Sequence, residues 1–281
     1  MRPMPLLLAL SLVACGGNDK ADTGASGTDT ATDTGPLETD FPLSNADQVA
    51  EAFEMAMLPS GLFALTMVTS MGVDSGPDAS GTSCPEVVVA DTTTTITGAC
   101  TADDGTAYTG AVVVAAAGSG LRVTYDNWGW GGDDMLNVDG THAVGADLGV
   151  STVEPGDGLR VTGRDGGRTV SVTFHSFDQL LPYGGMLFGM EPGNYPVQAA
   201  YTAVGLTGSG TATLEGSYTH TAACGTGPSN ATFTLVGAQR VTLSVADCAT
   251  NHCTHFEAED GLAGDLCDEV SSGDTGVTAS N

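Results

Sequence analysis

The chain has 281 residues, of which 34 are acidic and 7 basic, for a formal charge of −27. Such a field repels phosphate backbones and removes the electrostatic term on which nucleic-acid binding depends, so nucleic acid is excluded as a partner. Apolar residues make up 41%, aromatics only 6%, and there are 40 glycines, so a core must be built largely from Val, Ala, Leu and Met in short strands joined by tight turns.

Arg2 gives a weakly basic start, residues 6–13 form an apolar run far shorter than the ~20 residues needed to span a bilayer, and small Ala14 stands just before Cys15. This order reads as a cleaved signal over residues 1–14. Leu12-Val13-Ala14-Cys15 resembles the lipobox of bacterial lipoproteins. The resemblance implies cleavage before Cys15 and a membrane anchor of fatty acyl groups, palmitate among them, on that residue. With Gly16 rather than Asp after the cysteine, it further implies an outer-membrane lipoprotein whose domain faces the periplasm or the cell surface. Each buried acyl CH₂ contributes about 0.8 kcal/mol, so several chains together make a durable anchor. Residues 15–40 are dominated by Gly, Ala, Ser, Thr and Asp, including Asp22-Thr23-Gly24 and Asp33-Thr34-Gly35, and are expected to form a disordered tether. Leader and tether together resemble those of Gram-negative surface lipoproteins.

A globular domain is expected over residues 41–270, with a disordered tail at 271–281. Ser44 followed by Asp47 reads as an acidic capping box that opens an amphipathic helix, with Val49, Phe53, Ala56 and Met57 on one face and Pro59-Ser60-Gly61 ending it. Residues 55–73 carry no charge, which raises a membrane span as an alternative; the Pro-Ser-Gly break argues against it. Beyond this point Val- and Thr-rich runs bounded by Gly, Asp and Asn predict strands at 87–90, 94–99, 108–115, 121–127, 158–163, 169–177, 195–204, 211–218, 231–236 and 240–245. Arg164-Asp165-Gly166-Gly167 predicts a hairpin turn. The fold class is therefore mainly β, an antiparallel meander forming a sandwich or a barrel-like clam, with one N-terminal helix.

Apart from Cys15 there are six cysteines, Cys84, Cys100, Cys224, Cys248, Cys253 and Cys267, an even number that in an exported chain favours disulfides. A hairpin turning about Thr92 pairs Val88 with Ile96 and Ala90 with Thr94, which sets Cys84 opposite Cys100. The other four allow three connectivities, among which Cys224 with Cys248 and Cys253 with Cys267 is preferred, because the first pair brackets a predicted hairpin.

Cys248, His252, Cys253 and His255 offer thiolate and imidazole ligands for zinc, but in no standard spacing, and oxidation competes for the thiols, so no metal or other cofactor is expected. Trp128 and Trp130 are two apart and share one face of an extended backbone. Beside Asp126, Asp133 and Asp134, an exposed indole pair would stack on a glycan, or the carboxylates would gather calcium; alternatively both indoles cover the core. His142, His175 and His220 stand alone on predicted strands or at their ends, and Asp103-Asp104-Gly105 and Asp157-Gly158 read as turns. No Gly-x-Ser-x-Gly elbow, His-Glu-x-x-His helix or phosphate loop is present. The expected function is that of a non-enzymatic cell-envelope lipoprotein serving structural or interaction work, with a glycan- or calcium-binding module at Trp128 and Trp130 as the alternative and an envelope protein, glycan or calcium as the partner.

Overall fold

β-branched residues alternating with polar ones favour extended backbone, and in the computed structural model the chain is mainly β. The structure describes residues 39–70, 76–77, 83–103, 105–131, 136–145, 150–156, 158–165, 168–180, 192–221, 230–245 and 253–267. One helix, α1 (Ala46–Ser70), precedes the strands. These are β1 (Gly76–Pro77), β2 (Ser83–Cys84), β3 (Glu86–Ala90), β4 (Thr93–Thr97), β5 (Cys100–Thr101) and β6 (Ala107–Ala117), then β7 (Gly120–Gly131), β8 (Leu136–Val144) and β9 (Val150–Val153). After them come β10 (Arg160–Asp165), β11 (Arg168–Leu180), β12 (Gly193–Val204), β13 (Ser209–His220), β14 (Asn230–Val236), β15 (Arg240–Val245), β16 (Cys253–Ala258) and β17 (Ala263–Cys267).

β1 and β2 pair with each other, and the other 15 strands form one antiparallel sheet running from β3 at one edge to β17 at the other. β9 and β10 occupy a single lane between β8 and β11: Arg160 pairs with Asp139 and Thr173, while Ser151 pairs with Val144 and Gln179. β4 and β5 likewise share the lane beside β6. With those lanes counted once, each strand lies beside its sequence neighbour, which is the expected meander.

The sheet is curled around α1. The helix touches β4 near one edge, β17 at the other, and β9, β11, β12 and β13 between them. At ~4.8 Å per strand spacing, β4 and β17 would stand roughly 53 Å apart in a flat sheet, whereas a helix of this length reaches only about 37 Å. Only a curved sheet brings both to one helix, so the architecture is the clam-like form and not two stacked sheets. The concave face carries Tyr195, Val197, Ala199, Tyr201 and Ala203 of β12, with Leu214, Phe233, Leu235, Val241, Leu243 and Phe256 on the strands beyond, all buried. Val49, Ala52, Met55, Ala56 and Leu62 of α1 complete the same core, and Phe53 meets the Phe233 ring at 5.4 Å. The convex face is polar: Asp178, Gln198, Glu215, Thr234, Thr242 and Glu257 stand in one register across six adjacent strands.

Polar contacts fix the helix in place. The Tyr201 hydroxyl donates to the Ala52 carbonyl at 2.5 Å. Burial, and then the negative charge of Glu51, push the Tyr201 pKa above that of an ordinary tyrosine, so it stays a donor. The Glu51 carboxylate accepts from the Leu206 amide at 2.5 Å, the Thr207 amide at 2.8 Å and the Thr207 hydroxyl, capping the β12–β13 turn. Ahead of the helix, residues 39–43 lie across the sheet end as a strap. Phe41 donates to Thr211 and accepts from Ala238, and Gln239 Nε2 donates to the Leu43 carbonyl. Gly210 allows this approach, because a Cβ there would lie 2.5 Å from the Asp40 carbonyl carbon.

Three expectations need correction. The cap lies one residue later than Ser44 and Asp47: Asn45 Oδ1 accepts from the Gln48 amide and Gln48 Oε1 from the Ser44 amide. The helix does not stop at Pro59-Ser60-Gly61 but runs through Pro59 to Ser70. Its apolar run continues into the core at Leu62, and burial offsets the ~3 kcal/mol that an internal proline costs. The first hairpin turns on two residues, Asp91 and Thr92, so Val87 rather than Val88 faces Ile96, and Ala90 faces Thr93 rather than Thr94. Asp91 adopts the positive φ of 52° that such tight turns require. The two-residue hairpin predicted at 164–167 is present, with Asp165 opposite Arg168. Among the described residues no helix is long and apolar enough to cross a membrane.

Replacing Glu51 with Ala leaves two amides and a hydroxyl at the β12–β13 turn without their acceptor. A stability loss of about 1–3 kcal/mol is expected in urea unfolding; an unchanged midpoint would show that water replaces the carboxylate without cost.

Candidate functional site

The indole segment lies on β7, where Val123 and Tyr125 face inward and strict alternation would send Trp128 outward. One extra residue intervenes: the register against β8 shifts between Tyr125 and Trp128, and Asn127 has φ 46°. This β-bulge re-aims the strand. Trp128 turns into the core at 3% exposure, its ring 5.8 Å from that of Tyr108, and half-buried Trp130 packs on the same cluster. The two indoles share a face as expected, but it is the core face, and an exposed stacking pair is absent there.

Opposite the bulge, Gly110 has φ 67°, and a Cβ on it would sit 2.2 Å from the Asn127 carbonyl oxygen. Asp126 and Asn127 are exposed, Asn127 Nδ2 donating to Asp126 and its amide to Asp139. Beside them Asn137, Val138, Asp139, Arg160 and Thr162 line a cleft of about 120 Å³. A second cleft, of about 190 Å³, lies at Glu154, Ser176, Asp178 and Gln198. Both are smaller than the ~300 Å³ at which small-molecule pockets begin. Asp133 and Asp134 lie outside the described residues, as do Cys15, Cys224, Cys248 and His252.

The histidines fall in four settings. His142 on β8 and Ser151 on β9 are both fully buried, with His142 Nε2 2.8 Å from Ser151 Oγ. The pair has the spacing of a base and a hydroxyl nucleophile, but neither has surface open to a substrate. Burial lowers the His142 pKa to about 4, so the ring is neutral near pH 7. Exposed His175 meets Thr202 Oγ1 at 2.7 Å, His220 is buried at the end of β13, and His255 Nδ1 lies 2.9 Å from Asp265 Oδ1 on the open face of β16 and β17. Among the described residues no three His, Cys, Asp or Glu side chains are gathered as for a metal ion.

Cys84 and Cys100 form a disulfide, with Cα atoms 5.9 Å apart. They meet although the β3–β4 register, continued past Glu86 and Thr97, would set Cys84 opposite Ala99 rather than Cys100; Ala99, between β4 and β5, has φ 70°. The bulge at Asn127 and the buried His142–Ser151 pair escaped the sequence reading. The Asp139-Gly140 step, which resembles a turn, concealed β8 altogether. The chain matches no family model, no curated protein and no solved structure.

Two predictions follow from this geometry. Because the folded state resists protonating His142 and the unfolded state does not, His142 contributes its full stability above pH 6.5. That contribution falls as the pH drops toward 4, by about 3 kcal/mol across the window. His142→Gln should remove this component, read as the difference between parent and variant unfolding midpoints at pH 7 and pH 4.5; parallel pH profiles would contradict it. Gly118→Ala should cost about 1 kcal/mol, since Gly118 has φ 61° and nothing within 4 Å. Gly110→Ala adds a backbone clash to the same strain and should cost several kcal/mol more by the same measurement; equal losses would dismiss the bulge as a constraint.

Proposed function

We propose that this chain is a cell-envelope lipoprotein, held to a membrane by fatty acyl groups on Cys15 and spaced from it by a tether that ends where the strap begins, since Thr39 and Asp40 are already bonded to Thr211. The domain behind the tether serves structural or interaction work and not catalysis. The sequence Leu12-Val13-Ala14-Cys15 carries this reading, since it alone joins apolar run, small residue and acylatable thiol in one order. The Cys84–Cys100 disulfide supports it, because such bonds persist in oxidising compartments and are rare in the cytosol. The convex face supports it as well: carboxylates spaced by Thr and Gln present a hydrated, anionic surface suited to solvent outside the cell.

Interaction work fits the arrangement of apolar groups. Val88 and Val89 of edge strand β3 are 48% and 70% exposed, and among the described residues Val204 is the one other large apolar side chain that is exposed. Cys15→Ala should abolish incorporation of labelled palmitate and move the protein from the membrane to the soluble fraction. Retention of label and of membrane association in that variant would end the proposal.

A further inference from the structure

We propose that Cys253 and Cys267 form a second disulfide, so that the sheet is stapled at both lateral edges. β16 and β17 are antiparallel, and their register sets Cys253 directly opposite Cys267, at the open end of the hairpin. Opposed residues in an antiparallel ladder have Cα atoms about 4.5–5.5 Å apart, inside the ~4.4–6.8 Å range of disulfides. Two positions further along the same strands, His255 is opposite Asp265, and their side chains meet at 2.9 Å. Side chains at opposed positions on this face of the hairpin are therefore within reach of each other. Cys84 and Cys100 already hold each other, so neither competes for these thiols.

The two staples occupy equivalent places. β3 and β17 are the lateral edges, each paired on one side only among the described residues. An edge strand loses half the ladder hydrogen bonds of an interior strand and frays first. Cys84–Cys100 joins the end of β2, just ahead of β3, to the start of β5, and Cys253–Cys267 joins the start of β16 to the end of β17. Each closes a short loop at the point where the edge hairpin opens.

Formation requires an external disulfide donor, a dithiol–disulfide oxidoreductase or oxidised glutathione, and in the cell it rests on the export proposed above. One cysteine thiolate attacks the donor disulfide and forms a mixed disulfide. The second thiolate then displaces the donor sulfur, so two thiols lose two electrons and two protons, and the donor is released reduced, as the oxidoreductase dithiol or as two glutathione thiols.

The full chain, isolated from cells without reductant, should be alkylated with iodoacetamide under denaturing conditions and digested for peptide mass mapping. A linked peptide containing Cys253 and Cys267, two hydrogens lighter than the separate thiol peptides, with no alkyl group on either residue, is expected. Cys267→Ser should then expose Cys253 as one additional alkylated site. Alkylation of either residue, or its linkage to Cys224 or Cys248, in molecules whose Cys84–Cys100 bond is intact overturns the pairing and leaves the export reading standing. If Cys84 and Cys100 are themselves alkylated, export has failed, and refolding of the same chain in a glutathione redox buffer decides the pairing: a Cys253–Cys267 link sustains it, and any other partner overturns it.

Discussion

A sheet assembled from Val, Ala, Thr and Gly cannot bury its own concave face, and α1 is what fills it. The inward rows of β12 to β16 mix small Ala and Val with Tyr, Leu and Phe, and the curl of the sheet encloses a space beyond them. A helix of about 10–12 Å diameter occupies that space, and its buried residues join the core cluster with strands from both halves of the sheet. Hydrophobic burial accounts for the attraction but fixes no orientation. Orientation comes from the Tyr201 hydroxyl on the Ala52 carbonyl, the Glu51 carboxylate on the Leu206 and Thr207 amides, and Gln48 Nε2, which donates to the Thr207 carbonyl, each a directional bond between α1 and β12 or the β12–β13 turn.

The same closure accounts for the setting of the chemical groups. Bulges at Asn127 and His175 each insert a residue and bring two aromatic side chains inward at a spacing of three, Tyr125 with Trp128 and Phe174 with Phe177. The rings of the second pair meet edge to face, with centroids 6.2 Å apart. In a protein with few aromatics, these bulges turn four large rings into the core. They also present polar groups on the opposite face, Asp126 and Asn127 at one bulge and His175 at the other. Interior packing and the exposed polar clusters thus have one origin.

Much of the architecture was legible in the alternation of Val and Thr, which located the strands from β10 through β15, and in the glycine-bearing turn at 164–167. The helix was legible at its start but not at its end, because local punctuation at Pro59 was outweighed by the apolar residues that follow. Strands β16 and β17 were hidden because their Cys, His and Asp residues read as ligands or turns; only the paired register of His255 with Asp265 marks them as a hairpin. The indoles of Trp128 and Trp130 were correctly placed on one face, yet period-two counting does not reveal which face when a bulge lies between Tyr125 and Trp128. Cys84 and Cys100 are bonded as expected although the β3–β4 register is one residue from that expected, because period-two counting located the hairpin but not the length of its turn.

The strap ahead of the helix has a mechanical consequence. Residues 39–43 are laced to Thr211, Ala238 and Gln239 before the chain enters α1. A pull transmitted along the backbone from residues preceding Thr39 therefore loads this lacing before it loads the helix. The core-filling segment is thus the second point along the chain, not the first, at which such traction arrives.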